Sequence, residues 1–336
     1  MNLFKKVICF TDLHVGLKNN ARQHNDDCVD FVNWFVAEAK KHDAETCIFL
    51  GDFSHHRSNV NILTLNYAID ILRKLSVAFE NVYIIVGNHD MFWKDKRDIH
   101  AMVIGSEFAN ITLIQDPITI GNVALVPWLV NDEWKEVEKM PAQYVFGHLE
   151  LPGFKMNALV EMPDHGGMSK YTLRKFDYVF SGHFHKRQVQ NQVHYIGNPF
   201  GHNYSDVWDF ERGAMVLEWG GEPTYLNYED GPRYIAITLS ALLANPEVYL
   251  KPKTFLQVTL DVDITYEEAA FLRDTFMESY RIRELKLIRK DDDGEPIEYS
   301  GDVEFLTVDQ IVISQLAALE GDKFDTNRLI EIYDKL

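Results

Sequence analysis

The sequence predicts an α/β domain followed by a smaller α+β domain and two closing helices. Short apolar runs alternate with amphipathic stretches through the first half, the pattern of a sheet covered by helices. Five apolar runs stop abruptly on clusters of Asp, Asn and His, which places polar chemistry at strand ends. The turn-forming cluster Glu229-Asp230-Gly231-Pro232 then interrupts the chain, and a second strand–helix–strand pattern begins beyond it.

The strand candidates of the first half are Lys6–Phe10, Thr46–Leu50, Val82–Val86, Ile111–Leu113 and Val123–Val126, rich in Val, Ile and Phe. Asp26–Lys41 and Val60–Phe79 carry apolar residues at helical spacing, so the expected unit is βαβ. Further strands are expected at Gln143–Phe146, Tyr178–Ser181, His194–Ile196, Ala214–Trp219 and Thr224–Tyr228. Turns more than helices separate these, which predicts a second, more antiparallel sheet. Past the turn cluster, Arg233–Leu239, Phe255–Val262 and Glu284–Lys290 read as strands, and Thr265–Tyr280 as a helix opened by the capping box Thr265/Glu268. Asp291-Asp292-Asp293-Gly294 predicts an exposed turn. Thr307–Leu319, with the box Thr307/Gln310, and Thr326–Leu336 predict the closing helices. The expected division is 1–230, 231–300 and 301–336.

Composition narrows the class. At 46% hydrophobic and 25% charged residues, the 336-residue chain is of ordinary globular type. No apolar run approaches the ~18 residues that read as a bilayer span, and the apolar segment of MNLFKKVICF is short for a signal peptide. Three cysteines without metal spacing, Cys9, Cys28 and Cys47, fit a reducing, cytoplasmic compartment and no membrane association. The formal net charge of −18 speaks against a nucleic-acid partner on first count. Its distribution weakens that objection, because residues 291–336 carry −10 and residues 1–290 carry −8. Two divalent cations would halve the second figure.

The clusters at the strand ends are Phe10-Thr11-Asp12-Leu13-His14, Gly51-Asp52-Phe53-Ser54-His55, Gly87-Asn88-His89-Asp90, Gly147-His148-Leu149-Glu150 and Gly182-His183-Phe184-His185. In the last, two imidazoles two residues apart on extended backbone point the same way, and Gly182 is expected to permit a sharp turn before them. Open α/β sheets place ligand sites at the carboxyl ends of strands. The donors collected there are Asp12, His14, Asp52, Asn88, His148, His183 and His185. Mixed nitrogen and oxygen donors suit manganese, iron or zinc and not calcium. Seven are too many for one ion but right for two that share a carboxylate, with Asp52 the expected bridge. Two ions ~3.5–4 Å apart clamp an in-line displacement at phosphorus. Singly, each motif has a plain reading: Gly-Asp and Gly-His are common in turns, Asn88 tolerates a positive φ, and His55 and His56 fit an exposed loop. Five strand ends supplying one donor set in chain order outweigh those readings.

The ordered set D-x-H, G-D, G-N-H-D, G-H and G-H-x-H, spread over about residues 6–220, resembles the calcineurin-like metallophosphoesterase superfamily. Within it the chain looks most like the SbcD-type nuclease subunits of recombination complexes, including the phage recombination endonuclease small subunits. His55 three residues after Asp52, the segment Val126-Pro127-Trp128, and Tyr195-Ile196-Gly197-Asn198-Pro199 carry that narrower likeness. The resemblance implies a four-layer α/β/β/α sandwich with a small α+β capping domain and C-terminal helices. It implies one metal held by Asp12, His14, Asp52 and His185, and another held by Asp52, Asn88, His148 and His183. The ions would be Mn2+, with Mg2+, Fe2+ and Zn2+ as the other candidates. His89 would be the catalytic histidine, oriented by Asp90, and His55 would contact the phosphate. The implied activity is hydrolysis of DNA phosphodiester bonds, exonucleolytic on duplex ends and endonucleolytic on single strands, in recombination, repair or replication. The implied assembly is a homodimer with an SbcC-type coiled-coil ABC ATPase, in the host cytoplasm for a phage-encoded member.

Arg57, Lys94, Lys96, Arg97, Lys186 and Arg187 stand just past the metal motifs, as do Lys18 and Arg22, and as a group are expected to meet DNA phosphates. The segment Arg281–Lys290 adds five bases, either as a strand with a charged face or as a second contact with the duplex. Leu329, Ile332, Tyr333 and Leu336 form an apolar stripe suited to the ATPase or to the chain's own domain. The competing readings are a phosphodiesterase for a cyclic nucleotide or other small diester, and a non-catalytic assembly subunit. Ser54-His55 after Asp52 disfavours a phosphoprotein phosphatase.

Overall fold

The computed structural model describes residues 2–290 and 296–299, apart from 157–159 and 165. The described residues fall into two compact units, one of those up to 235 with 252–255, the other of 236–251 with the described residues from 256 to 299.

The first unit is built on two six-stranded sheets. In one, β1 (Lys6–Phe10), β2 (Thr46–Phe49), β3 (Asn81–Ile85) and β4 (Ile111–Ile114) run parallel in that order. In the other, β6 (Val123–Val126), β7 (Tyr144–His148), β8 (Tyr178–Gly182) and β10 (Val193–Tyr195) are parallel, edged by the antiparallel β5 (Ile118–Ile120) and β9 (Gln188–Gln190). The later strands β11 (Gly213–Glu218) and β12 (Thr224–Asn227) return to the first sheet, β11 antiparallel to β1 and β12 antiparallel to β11 at the edge.

This arrangement corrects one expectation. The second sheet is parallel at its centre, although no long helix separates its strands. Residues 149–177, between β7 and β8, hold no described helix, so the crossover left no 3.6-residue period to read. The edge strands β5 and β9 are three residues each, too short for an alternating pattern to register.

Side-chain alternation sorts each strand between layers. Ile8 and Phe10 of β1 and Cys47 and Phe49 of β2 pack toward the helices Arg22–Lys41 and Ile62–Ala78. Val7, Cys9, Ile48 and Leu50 face the space between the sheets, where Leu125, Phe146 and Phe180 meet them. Fully burying an aromatic such as Phe10 is worth about 1.5–3 kcal/mol. The outer face of the second sheet is covered by Leu149, Leu151, Phe154, Leu173 and Phe176 with the short helix Trp134–Val137. The first long helix starts at Arg22, four residues before the expected Asp26, because its polar first turn carries no apolar signal.

The second unit contains most of a four-stranded sheet ordered β13 (Arg233–Thr238), β14 (Thr254–Leu260), β15 (Glu284–Lys290), β16 (Pro296–Tyr299). The helix Tyr266–Tyr280 opens on the expected capping box: Thr265 accepts from the Glu268 amide, and Glu268 accepts from the Thr265 amide. Leu285 and Leu287 of β15 are buried while Lys286 is half-exposed, the alternation of a strand with one charged face. The turn at 291–294 and the helices at 307–319 and 326–336 lie outside the described residues.

Candidate metal centre

The five polar clusters follow the carboxyl ends of parallel strands from both sheets. β1 delivers Asp12 and His14, β2 delivers Asp52, and β3 delivers Asn88 and His89. Across the sheet interface β7 ends on His148, and β8 leads directly into His183 and His185. Backbone pairing continues past the strands, with the amides of Asp12 and His14 donating to the carbonyls of Gly51 and Asp52 at 2.9 and 3.1 Å. Four donor residues take left-handed backbone, unusual outside glycine: Asp12 (φ 51°), His14 (49°), Asp52 (58°) and His183 (86°). Strained backbone of this kind gathers at functional sites, where the surrounding structure over-determines it.

Gly182 has a different reason from the sharp turn expected of it. A Cβ there would lie 2.0 Å from Thr11 Oγ1 and 2.6 Å from the Leu50 carbonyl oxygen. The two sheets close on each other at this glycine, and Thr11 Oγ1 donates to Asp12 Oδ2 at 2.7 Å beside it.

The donor atoms converge in two groups. His14 Nε2 stands 3.3 Å from His185 Nε2, 3.9 Å from Asp12 Oδ1 and 3.7 Å from Asp52 Oδ2. The other oxygen of the same carboxylate, Asp52 Oδ1, is 3.4 Å from His148 Nε2. Asn88 Oδ1 is 3.0 Å from both His148 Nε2 and His183 Nδ1. Two donors each about 2.1 Å from a common ion lie roughly 3–4 Å apart, so both groups have suitable spacing. Asp52 turns one oxygen toward each group.

The histidine tautomers agree with that use. His148 Nδ1–H donates to the Leu50 carbonyl at 2.7 Å, so Nε2 is the nitrogen that faces Asp52 and Asn88 and the one a metal would take after its proton leaves. His183 Nε2–H donates to the Glu150 carboxylate at 3.1 Å, leaving Nδ1 toward Asn88. A carboxylate or carbonyl behind the imidazole is the usual support of a metal-binding histidine. Glu150 was not singled out for this role by the sequence; it is one turn of loop past His148, and only the fold carries it to His183.

Burial dominates the electrostatics. It keeps His14 and His183 below their usual range and lowers His185 to about 4, so all three are neutral, the form that binds a metal. Burial also opposes charge on Asp52, but the cationic His148 outweighs it and holds the carboxyl well below the usual carboxylate range. For His148 burial likewise works downward, and Asp52 outweighs it, raising the imidazole to about 9. Burial raises Asp12 to about 7. Taken by themselves, then, these side chains hold an ion pair whose proton a cation would displace.

Asp90 departs from expectation. Its carboxylate accepts from three backbone amides, those of Asp52 at 3.0 Å, Gly87 at 2.9 Å and Ser54 at 2.8 Å. It clamps the loop that carries Asp52 and makes no hydrogen bond to the His89 ring. That ring is oriented by the His55 carbonyl, which accepts from His89 Nδ1–H at 3.0 Å, and it stacks on the His55 ring at 5.3 Å. The His89 ring also stands edge to face with that of His14, centroids 4.8 Å apart.

The basic residues divide. Lys94 and Lys96 are exposed, and Arg57 and Lys186 are half-exposed. Arg97 is not available to a phosphate: it is 8% exposed, and its guanidinium is committed to Glu133 at 2.7 Å, to Asp116 and to the Trp128 carbonyl. Arg187 donates to Asn227 and the Ile196 carbonyl and lies over the Tyr225 ring at 4.8 Å. Lys18 is held by the Tyr234 hydroxyl and the Phe255 ring. One further histidine, His202, is buried against His14 and His185. It stands seven residues past β10 and not directly at a strand end, so nothing in the sequence marked it.

The sequence pattern described as calcineurin-like phosphoesterase matches residues 5–187, more than half the chain. The chain is 27% identical over 228 residues to exonuclease subunit 1 of Enterobacteria phage T4, covering 65% of this chain and 66% of that protein. It thus spans just under two thirds of that relative's length. Among solved structures it is similar to the nuclease MPE of Pseudomonas putida, at 18% identity over 56% of this chain and 66% of the other, with a TM-score of 0.30. Two mixed sheets, donor clusters at five strand ends and a family match spanning all of those clusters lead to one conclusion: the chain belongs to the calcineurin-like phosphoesterases, a family of metal-dependent hydrolases.

Proposed function

We propose that this chain is the nuclease subunit of a DNA-processing complex, hydrolysing phosphodiester bonds at a centre that holds two divalent ions, manganese first among them. The observation that carries the reading is Asp52, with Oδ2 3.7 Å from His14 and Oδ1 3.4 Å from His148. Asp12, His14, Asp52 and His185 would hold one ion, and Asp52, Asn88, His148 and His183 the other. When bound, the two ions would acidify a water and neutralise charge developing at phosphorus. The protein's own contribution is positional. Asp90 fixes the Asp52 loop, Glu150 and the Leu50 carbonyl fix two imidazoles, and His89, held through Nδ1–H by the His55 carbonyl, would as an imidazolium give its Nε2 proton to the leaving oxygen. His55, stacked on His89, would meet the phosphate.

Several features favour DNA over a small diester. Phe92 and Trp93, 39% and 47% exposed, lie edge to face at 4.6 Å three residues past His89, with Lys94 and Lys96 beside them. Aromatic faces flanked by lysines suit stacked bases and their phosphates. Trp128, whose ring is 4.9 Å from that of His183, adds a second aromatic wall. The phage relative, an exonuclease subunit by name, points the same way.

The proposal extends to assembly. Val60, Ile62, Leu63 and Val103 are 68%, 78%, 45% and 62% exposed, and Val60 lines one groove with Leu65, Ala101 and Ile104, an apolar surface fit for a homodimer. An SbcC-type ATPase would dock on residues 301–336, residues 231–300 would cap the nuclease domain, and the complex would work in the cytoplasm. No helix among the described residues is long and apolar enough to cross a membrane. The test is Mn2+-dependent cleavage of end-labelled linear duplex DNA beside bis-p-nitrophenyl phosphate. Degradation of the duplex supports the proposal. Cleavage of the small diester alone, with the ATPase partner present, would replace it with a small-molecule phosphodiesterase.

A further inference from the structure

His202 lies in the loop after β10, is 2% exposed, and has no hydrogen-bond partner at either ring nitrogen among the described residues. A buried imidazole with both nitrogens unpaired is uncommon, and something at the site must satisfy it. Its position is fixed. The His202 amide donates to Asp206 at 2.7 Å, and its carbonyl accepts from the Tyr234 hydroxyl at 2.8 Å. Arg212 ties Asp206 at 2.9 Å and also donates to the His185 carbonyl at 3.0 Å, coupling the loop of His202 to the loop of His185. The ring stands edge-on to His14 and His185, with centroids 5.5 and 5.2 Å away. One nitrogen from each of His14, His185 and His202 lies within 4.8 Å of the others.

We propose that His202 is a further nitrogen ligand on the His14/His185 side of the centre, giving that position three imidazoles beside the carboxylates of Asp12 and Asp52. The inference rests on the two-ion reading above and adds a residue to it. Five protein donors leave a six-coordinate ion one open place for water or a phosphate oxygen. Three imidazoles also set the selectivity of that position, because magnesium and calcium prefer oxygen donors while manganese, iron, cobalt and zinc accept nitrogen.

The test uses the full chain, stripped with a chelator and titrated with Co2+ and with Mn2+ by calorimetry, alongside the visible spectrum of bound Co2+. Wild type is compared with His202→Ala, with His202→Phe, which fills the space without a nitrogen, and with His202→Gln, which restores a donor. Urea midpoints of the metal-free proteins identify the folded variants. Expected is wild-type binding of two equivalents, with one weakened at least tenfold in His202→Ala or His202→Phe, a changed Co2+ spectrum, and partial recovery in His202→Gln. Two equivalents of unchanged affinity and spectrum in a folded variant would overturn the His202 assignment and leave the two-ion reading standing. Failure of wild type to bind two ions would overturn the two-ion reading itself.

Discussion

Replacing Asp90 separates a structural clamp from a catalytic partner. Its side chain is fully buried and accepts three backbone N–H groups, two on Oδ2 (Asp52 and Gly87) and one on Oδ1 (Ser54). An unsatisfied buried donor costs about 1–3 kcal/mol. Asp90→Asn can place its carbonyl at the Oδ2 position and keep two bonds, while its NH2 faces the Ser54 amide, so the loss is about 1–3 kcal/mol. Asp90→Ala leaves all three donors unpaired, for about 3 kcal/mol or more after partial relaxation. Urea unfolding of the metal-free protein measures both, and amide exchange at Asp52, Ser54 and Gly87 locates the loss. Equal stability of Asn, Ala and wild type, with activity alone reduced, would refute the clamp and return Asp90 to the role of orienting His89.

Three other consequences follow from the same geometry. Gly182→Ala puts a methyl 2.0 Å from Thr11 Oγ1 and 2.6 Å from the Leu50 carbonyl, so a thermal melt should show a loss of several kcal/mol, about 3 or more; an unchanged melting temperature would contradict the close approach. Arg97→Ala should destabilise the protein by about 1–3 kcal/mol, because the Trp128 and Gln115 carbonyls lose their donor while the part-exposed Glu133 can turn to water, and should leave duplex affinity within twofold, checked by unfolding and by fluorescence anisotropy. His148 rises to about 9 beside Asp52, so in the metal-free protein it is protonated below that pH. Metal binding at Nε2 must release that proton, and affinity should climb about tenfold per unit between pH 7 and 9, more steeply below 7 where Asp12 also holds a proton, then level off. Calorimetry in buffers of different ionisation enthalpy at pH 7.5 should report at least one proton released; none would contradict the assignment.

The donor residues were legible because each motif is local: an apolar strand runs straight into its polar loop, and the fold needs only to bring five such ends together. What the sequence could not show was which side chains reach back. Asp90 sits next to His89 in the chain, yet its acceptors serve the Asp52 loop 36 to 38 residues away. Arg97 reads as a basic loop residue, and only the fold brings Asp116 and Glu133, 19 and 36 residues on, to its guanidinium. Gly182 reads as a turn, though the approach of Thr11 from the other sheet decides it. The parallel centre of the second sheet was hidden for a related reason, since its long crossover between β7 and β8 lacks helical periodicity.

The central claim, hydrolysis at a two-ion centre assisted by His89, is tested most directly by His89→Ala, assayed for Mn2+-dependent degradation of linear duplex DNA and for bound metal on the same sample. The account predicts two ions retained and cleavage reduced by about 100-fold or more, since His89 lies outside the donor set and acts on the leaving oxygen. Cleavage at the wild-type rate with two ions bound would contradict it.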